Sequence, residues 1–255
     1  MGPWAGQEFP TDMGIRSIAA FAWTPLMQMF DTTQDKALLK DKVYPYLRGI
    51  VDFYINPDPA GRSYLVTGRD GKLHVPYSCG DEICHDEFGE GVDPMEDMGF
   101  VRMALQKAIA YSAVLGVDED LRPRWGSTLK NMAPFRTTLV NGVKVFAQSA
   151  SFTTDWNATN ETAGWPGSKT VYTGYPIIYD SGIHPADVIT RSSDPELLQV
   201  ARNTIWTDGQ NVQWNPTNGF VLSWIPAARI VERSNSSELL DGFEAAVRTS
   251  VYTNW

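Results

Sequence analysis

Residues 44–54 read Tyr44-Pro45-Tyr46-Leu47-Arg48-Gly49-Ile50-Val51-Asp52-Phe53-Tyr54, an amphipathic run that predicts a helix. A strand-like piece follows and reads Ser63-Tyr64-Leu65-Val66-Thr67. The chain then enters a polar loop that reads Ser78-Cys79-Gly80-Asp81-Glu82-Ile83-Cys84-His85-Asp86. A helix and a strand that deliver clustered carboxylates to a loop are an arrangement that positions an acid. We therefore expect the chemistry of the protein at this loop.

Further helices are predicted on both sides of that stretch. Apolar periodicity places them at residues 15–29, 34–55, 97–115, 118–132, 194–206, 220–231 and 237–249. Asp70-Gly71 and Asn141-Gly142 predict β-hairpin turns, and residues 149–174 and 207–218 are predicted loops. Pairs of helices joined by short connections indicate a mainly α fold of stacked helical hairpins, with short β-hairpins on the loops.

Composition excludes several classes of partner. The net charge is −9 and the isoelectric point is about 4.8, so the surface repels phosphate backbones and nucleic acid is not an expected partner. No apolar run is long enough to span a bilayer. Residues 1–6 lack the features of a signal peptide and are typical of an internal segment. We therefore expect the natural N-terminus to lie further upstream.

Cysteine and asparagine patterns favour secretion. Cys79 and Cys84 are the only cysteines, and both lie in the acidic loop. A disulfide, two free thiols and a metal site with His85 are the alternatives for this pair. Glycosylation sequons begin at Asn157, Asn160 and Asn235. These features together predict a secreted glycoprotein.

Six short segments resemble one enzyme family in their order and spacing. They are Asp31-Thr32-Thr33-Gln34-Asp35-Lys36-Ala37-Leu38-Leu39, Tyr44-Pro45-Tyr46-Leu47-Arg48-Gly49, Tyr64-Leu65-Val66-Thr67, Asp97-Met98, Leu115-Gly116-Val117-Asp118-Glu119-Asp120-Leu121 and Ser193-Asp194-Pro195-Glu196-Leu197. The layout resembles the six-hairpin glycosidases. Within them it is most similar to the catalytic domain of glycoside hydrolase family 95, the α-L-fucosidases and α-L-galactosidases.

The resemblance implies an (α/α)6 toroid. The ring needs more helices than this chain supplies, so residues 1–255 are expected to be part of a single α/α-toroid catalytic-type domain that lacks its N- and C-terminal portions. An open ring exposes apolar helix faces. We therefore expect the remainder of the same polypeptide, or another chain, to cover them.

The resemblance also implies a general acid in the loop after Tyr64-Leu65-Val66-Thr67. Glu82 matches that position best, and Asp81, Asp86 and Glu87 are its rivals. Neighbouring carboxylates can keep one of their number protonated near neutral pH. The competing interpretations are a solvated acidic loop and a Ca²⁺ site. The partner base of an inverting enzyme is expected beyond Trp255.

Substrate contacts are predicted at Asp97, Trp224 and His184. The chain departs from the family at residues 174–179 and 219–224, where His-rich and Arg-containing motifs are replaced. Loss of these side chains while the packing Gly and Trp persist indicates either a different sugar or lost activity.

The predicted function is therefore inverting hydrolysis of α-linked L-fucose, or a related sugar, from an oligosaccharide or polysaccharide. One alternative is a non-catalytic carbohydrate-binding or structural relative in an extracellular assembly. A polysaccharide lyase is a third interpretation, with candidates Tyr77, His85, Tyr179 and His184. No cofactor and no resident metal are implied.

Overall fold

The computed structural model describes residues 17–61, 63–68, 70–75, 78, 91–147, 149–151, 170–171, 181–212, 225–230 and 236–250. Helices dominate these segments. They are α1 (Ile18–Thr33), α2 (Lys36–Leu38), a π-helical turn (Leu39–Val43), α3 (Tyr44–Ile55), α4 (Met95–Leu115), α5 (Arg122–Asn131), α6 (Pro195–Val212), α7 (Ile225–Ile230) and α8 (Ser236–Ser250). None of the helices in the described segments is long and apolar enough to cross a bilayer.

The first helices begin and end where local chemistry requires it. Asp35 caps α2, and its carboxylate accepts from the backbone N–H groups of Ala37 at 2.8 Å and Leu38 at 3.1 Å. Inside α1, Pro25 cannot donate to the carbonyl of Phe21, and the Thr24 hydroxyl donates to that carbonyl instead at 2.8 Å. A capped start after a Pro-containing helix confirms the sequence prediction for residues 34–55.

The helix bearing Pro45 is continuous through an irregular turn. The predicted bend takes the form of the π-helical turn, in which the N–H of Tyr44 donates to the carbonyl of Leu39, five residues earlier. This wider turn comes directly before the proline, where the regular i→i−4 hydrogen bond cannot form.

Helices that follow one another along the chain also pack on one another. Helix α1 contacts α3 and α4, α3 contacts α4, and α4 contacts α5. Their shared core is centred on the long helix α4. Its large buried side chains include Trp23, Leu47, Tyr54, Phe100 and Trp125. The predicted helical pairing is therefore present in residues 17–131.

Short strands connect the helices. They are β1 (Val66–Thr67), β2 (Leu73–His74), β3 (Gly91–Val92), β4 (Thr137–Val140), β5 (Val143–Phe146), β6 (Ser149–Ser151) and β7 (Thr170–Val171). The β1–β2 and β4–β5 pairs are antiparallel hairpins. The Asn141-Gly142 turn has φ of 51° and 81°, as a two-residue hairpin turn requires. Both predicted hairpins are confirmed.

Two predicted loops are partly wrong. Residues 149–151 and 170–171 form strands with β3, in the order β3-β6-β7. Strands this short carry no periodicity, so their pairing with a distant segment left no local signal. Helix α6 continues through residues 207–212, because the propensity cost of Asp, Gly and Asn is at most about 1 kcal/mol per residue in a helix already anchored by packing.

A second core lies beside the first. Helix α6 packs on β5 and on α7, and the side chains of Phe146, Ile189, Ala201 and Ile205 are buried between them. Met95, in the first turn of α4, belongs to this cluster. The N-terminal end of α4 therefore lies where the two cores meet.

Candidate active site

Most of the predicted site residues lie outside the described residues. These are the acid candidates Glu82, Asp81, Asp86 and Glu87, the cysteines Cys79 and Cys84, the lyase candidates Tyr77, His85 and Tyr179, the predicted substrate ligand Trp224, and the sequon residues Asn157, Asn160 and Asn235. The structure does describe both ends of the acidic loop, and with them Asp97 and His184. The site can therefore be built from the residues that hold the loop.

The two ends of the acidic loop are joined by a pair of hydrogen bonds. Val75 ends the segment that enters the loop, and Asp93 follows the segment that leaves it. The backbone N–H of Asp93 donates to the carbonyl of Val75 at 2.8 Å. In return the backbone N–H of Val75 donates to Asp93 Oδ1 at 2.9 Å. We call this double contact the neck of the loop.

The Asp93 carboxylate also forms a buried ionic cluster at the neck. Its side chain is fully buried, and Oδ2 lies 2.7 Å from His74 Nδ1. Arg136 Nη2 donates to the same oxygen. The other ring nitrogen of His74, Nε2, lies 3.1 Å from Asp70 Oδ1. We call Asp70, His74, Asp93 and Arg136 the neck cluster.

His74 lies between two carboxylates. Both ring nitrogens lie within hydrogen-bonding distance of a carboxylate oxygen, one from Asp93 and one from Asp70. The side chain of His74 is almost completely buried, and buried polar atoms such as its ring nitrogens need hydrogen-bonding partners of this kind.

Asp70 is held in its charged form. Burial raises the pKa of this carboxyl, but the hydrogen bonds from the backbone N–H of Lys72 and from His74, with the positive charges of His74 and Arg136, outweigh it and lower the pKa below its usual value. Asp70 is half exposed. The neck cluster thus extends from the protein interior to the solvent.

Arg136 reaches the neck because its segment runs alongside β2. Met132 pairs with Leu73 in a parallel bridge, and the backbone N–H of Ala133 donates to the carbonyl of Leu73 at 2.9 Å. Arg102, from α4, donates to the carbonyl of Ala133 and covers the ring of Phe135 at 4.4 Å.

Burial of Arg102 is costly. It lowers the pKa of the guanidinium to about 10, and the charge of Asp93 opposes this shift. Helix α4, β2 and the segment before β4 are therefore connected through charged side chains.

A second contact holds the entry of the loop against α4. Ser78 is buried, and its hydroxyl donates to Asp97 Oδ2. Asp97 is fully buried in the first turn of α4, where the positive end of the helix dipole stabilises a carboxylate. Burial, and then the charges of Asp97 and Glu96, raise the pKa of the nearby Tyr54 hydroxyl well above its usual value. Asp97 is thus a support of the loop, and its predicted contact with substrate stays a prediction.

His184 lies on a segment that packs against the same helix end. The Cβ that Gly99 lacks would stand 3.3 Å from the Cα of Gly182, so the two backbones are in close contact. Burial, and then the charge of Arg229, lower the pKa of His184, and Asp187 opposes the shift. None of the described residues hydrogen-bonds His184 Nδ1. Substrate binding by His184 stays a prediction.

Sequence reasoning missed the neck cluster. His74 stood alone in a predicted strand, Asp93 preceded a proline, and Arg136 followed an apolar turn, so no motif linked them. The one available signal was the Asp93-Pro94 step between the acidic loop and the longest predicted helix. Among the described residues, no group of three His, Cys, Asp or Glu side chains is arranged to hold a metal ion.

Comparison with known families identifies the class of protein. Residues 6–165 match the model of the glycosyl hydrolase family 95 catalytic domain. The match covers more than half of the chain, and the protein therefore belongs to this glycoside hydrolase family. None of the curated proteins matches the chain.

The match confirms the family resemblance drawn from short motifs. Its range contains the acidic loop, with Asp81 and Glu82, the neck cluster and Asp97. It ends before His184, Trp224 and the Ser193-Asp194-Pro195 segment.

Proposed function

We propose that the protein is an inverting glycoside hydrolase that releases α-linked L-fucose, or a closely related sugar, from oligosaccharides or polysaccharides. Membership of family 95 supports hydrolysis of a glycosidic bond. The observation that carries the proposal is the neck, because it fixes both ends of the one loop that combines clustered carboxylates with the family position of the acid. We also propose that the protein is secreted and that its helices form part of an (α/α)6 toroid.

Glu82 is the proposed general acid. Chain connectivity limits its distance from the anchored Ser78, since four residues of extended chain span at most about 14 Å. In our proposal the carboxyl group protonates the glycosidic oxygen as the bond to the anomeric carbon breaks. A water on the opposite face of the sugar attacks that carbon and loses its proton to a base. The oxygen of the leaving sugar thereby gains the proton that Glu82 gives up.

Neighbouring charges support the protonated state of this acid. Asp81, Asp86 and Glu87 lie within five residues of Glu82 along the chain, and like charges disfavour ionisation of any one carboxyl among them. The balance between this repulsion and solvation selects the residue that holds the proton. Asp81 is the proposed rival for the same role.

The test is hydrolysis of aryl α-L-fucoside and α-L-galactoside and of an oligosaccharide that carries the same terminal sugar. We expect Glu82→Gln to lower kcat on the oligosaccharide by about 10²–10⁴-fold, the usual contribution of a general acid. The loss should be smaller on an aryl glycoside with a strongly acidic phenol, because that leaving group needs little protonation. Asp81→Asn tests the rival residue, and a larger loss in that variant than in Glu82→Gln would assign the acid to Asp81.

Product stereochemistry provides the second measurement. Nuclear magnetic resonance of the first product should show the β-anomer of the released sugar, because inversion converts the α-linkage to a β-hydroxyl. An α-anomer as first product would reject the inverting mechanism. Carbohydrate binding without turnover on any glycan would favour the non-catalytic alternative, which the replaced residues 174–179 and 219–224 also suggest.

A further inference from the structure

Every side-chain contact described for Asp93 goes to a residue outside α4, the helix that follows it. Oδ1 accepts from the backbone of Val75, and Oδ2 contacts His74 and Arg136. A structural role as the cap of α4 does not explain them, since the N-cap of that helix is Pro94 and it makes no side-chain cap hydrogen bond. Asp93 therefore connects the end of the acidic loop to the segments around its beginning.

The backbone of Asp93 supports the same assignment. Its φ is 55°, in the left-handed region that non-glycine residues seldom adopt. Such conformations persist where surrounding contacts determine them, and they cluster at functional sites. The conformation lets both the N–H and the carboxylate of Asp93 face Val75.

His74 lies at the centre of the neck cluster and contacts its other three members. It contacts Asp93 through Nδ1 and Asp70 through Nε2, and Arg136 Nη2 also lies 3.4 Å from Nδ1. Arg102 holds the segment that carries Arg136 against α4. A shift of the Asp93 carboxylate would therefore break contacts with β2 and with the segment before β4 together.

We infer that Asp93 and His74 are positioning residues that hold the acidic loop in register for proton transfer. The inference rests on the proposed function, because it takes the general acid to lie on that loop. Neither residue touches the sugar in this proposal. Each acts through the neck, which sets where the loop leaves and re-enters the protein. A displacement of about 1 Å in a reacting group costs about 100-fold in rate.

Two variants of His74 form a matched pair for the test. The amide nitrogen of Asn occupies the place of Nδ1, so His74→Asn keeps a donor for Asp93 and loses the one for Asp70. The amide nitrogen of Gln occupies the place of Nε2, so His74→Gln does the reverse. If the contact with Asp93 positions the loop, His74→Gln should lower kcat on an oligosaccharide at least about tenfold more than His74→Asn, within the range that misplacement produces.

The choice of substrate separates positioning from loss of folded protein. His74→Gln and Asp93→Asn should lower kcat on the oligosaccharide by about 100-fold, and much less on an aryl glycoside with a strongly acidic phenol. KM should change little. A structural role alone would reduce the active fraction and lower both rates equally. Lys144→Met, which removes an exposed ion pair with Glu196, is the control and should leave both rates unchanged.

Limited digestion with a Glu-specific protease tests the neck without any activity assay. The segment between the two anchors of the neck, Val75 and Asp93, contains Glu82, Glu87 and Glu90 and no lysine or arginine. We expect faster cleavage at these three sites in Asp93→Asn and His74→Gln than in wild type and Lys144→Met, with cleavage sites mapped by mass spectrometry. His74→Asn should resemble wild type more closely.

The kinetic and digestion measurements distinguish failure of the proposed function from failure of this inference. If the wild-type protein hydrolyses no glycoside, the proposed function fails, and the digestion still decides whether Asp93 and His74 hold the loop. If the wild type is active but Asp93→Asn and His74→Gln match it in kcat and in digestion, the inference is overturned and the proposed function stands. Equal loss on both substrates, with unchanged digestion at the loop, would also overturn it.

Discussion

The two ends of helix α4 use charged side chains in opposite ways. At its N-terminal end, Asp93 and Asp97 are fully buried and connect to the acidic loop. Towards its C-terminal end, Asp31 accepts from Tyr111 at 2.6 Å and from Lys107 at 2.5 Å, close to solvent. Among the described residues, the buried acidic and histidine side chains, His74, Asp93 and Asp97, all lie beside the ends of the acidic loop. At the other end, partly exposed pairs connect helices at lower cost.

An arginine near each end of α4 allows the difference between the two ends to be tested directly. Arg102, near the N-terminal end, is partly buried and donates to the carbonyls of Met98 and Ala133. Arg102→Met should lower the free energy of unfolding by about 3 kcal/mol, because it removes charged hydrogen bonds and leaves a buried carbonyl unsatisfied. Equilibrium urea unfolding measures the change.

Arg122 is the matched control for that change. It donates to the carbonyls of Ser112 and Val117 at the C-terminal end of α4, at 3.2 and 3.0 Å, and the second of these hydrogen bonds is exposed. Arg122→Met should cost about 1 kcal/mol or less, the usual value of a cation at a helix C-terminus. Equal losses in the two variants would contradict the distinction between the ends.

Raising the pH above about 10 should change the contributions of the two ends to the free energy of unfolding in opposite directions. Burial and the hydrogen bond to Asp31 raise the pKa of Tyr111. The stabilisation it provides is complete below the pKa of an unfolded tyrosine, about 10, and is lost as the pH rises from there towards the folded value. Arg102, with its pKa lowered to about 10, releases its proton first in the folded state. Its contribution to stability therefore rises with pH above about 10.

Variants at each end separate these two contributions. Between about pH 9.5 and 11 the free energy of unfolding should fall less steeply in Tyr111→Phe than in wild type, by at most about 1.4 kcal/mol per pH unit, and by less because solvent screens this site. In Arg102→Met it should fall more steeply. Urea unfolding at several pH values measures the slopes. If the free energy of unfolding fell equally steeply with pH in wild type, Tyr111→Phe and Arg102→Met, the predicted opposite pH dependences would be wrong.

The smallest effect is expected at Lys107. Its ion pair with Asp31 is partly exposed, with 24% and 38% of the two side chains accessible. Lys107→Met should change the free energy of unfolding by about 0.2–1 kcal/mol, and the change should shrink further in high salt. Thermal unfolding with and without added salt checks both statements. A loss as large as that of Arg102→Met would mean that burial does not distinguish the two ends.

Local signals predicted the helices and hairpins well. Asp35 caps a helix, Gly116 ends α4 with φ of 69°, and Asn141-Gly142 forms a hairpin turn, because each property depends on a few adjacent residues. The family match likewise confirms the motifs read from the sequence.

The neck cluster could not be predicted in this way. His74, Asp93 and Arg136 come together only after β2, the end of the acidic loop and the segment before β4 have packed. No spacing rule connects residues so far apart in sequence. The short strands β6 and β7 escaped prediction for the same reason, since their partners are distant and their own residues show no periodicity.

The close contact between Gly99 and Gly182 limits which sequences this fold can tolerate. A methyl group on Gly182 would stand 2.7 Å from the end of the Met95 side chain, and one on Gly99 would meet the Gly182 backbone at 3.3 Å. A side chain gained at Gly182 would require the flexible end of Met95 to move aside, whereas one gained at Gly99 would press on the backbone of the segment that precedes His184. A relative that carries alanine at 99 should therefore hold its His184 segment further from α4, whereas alanine at 182 can be accommodated by movement of side chains.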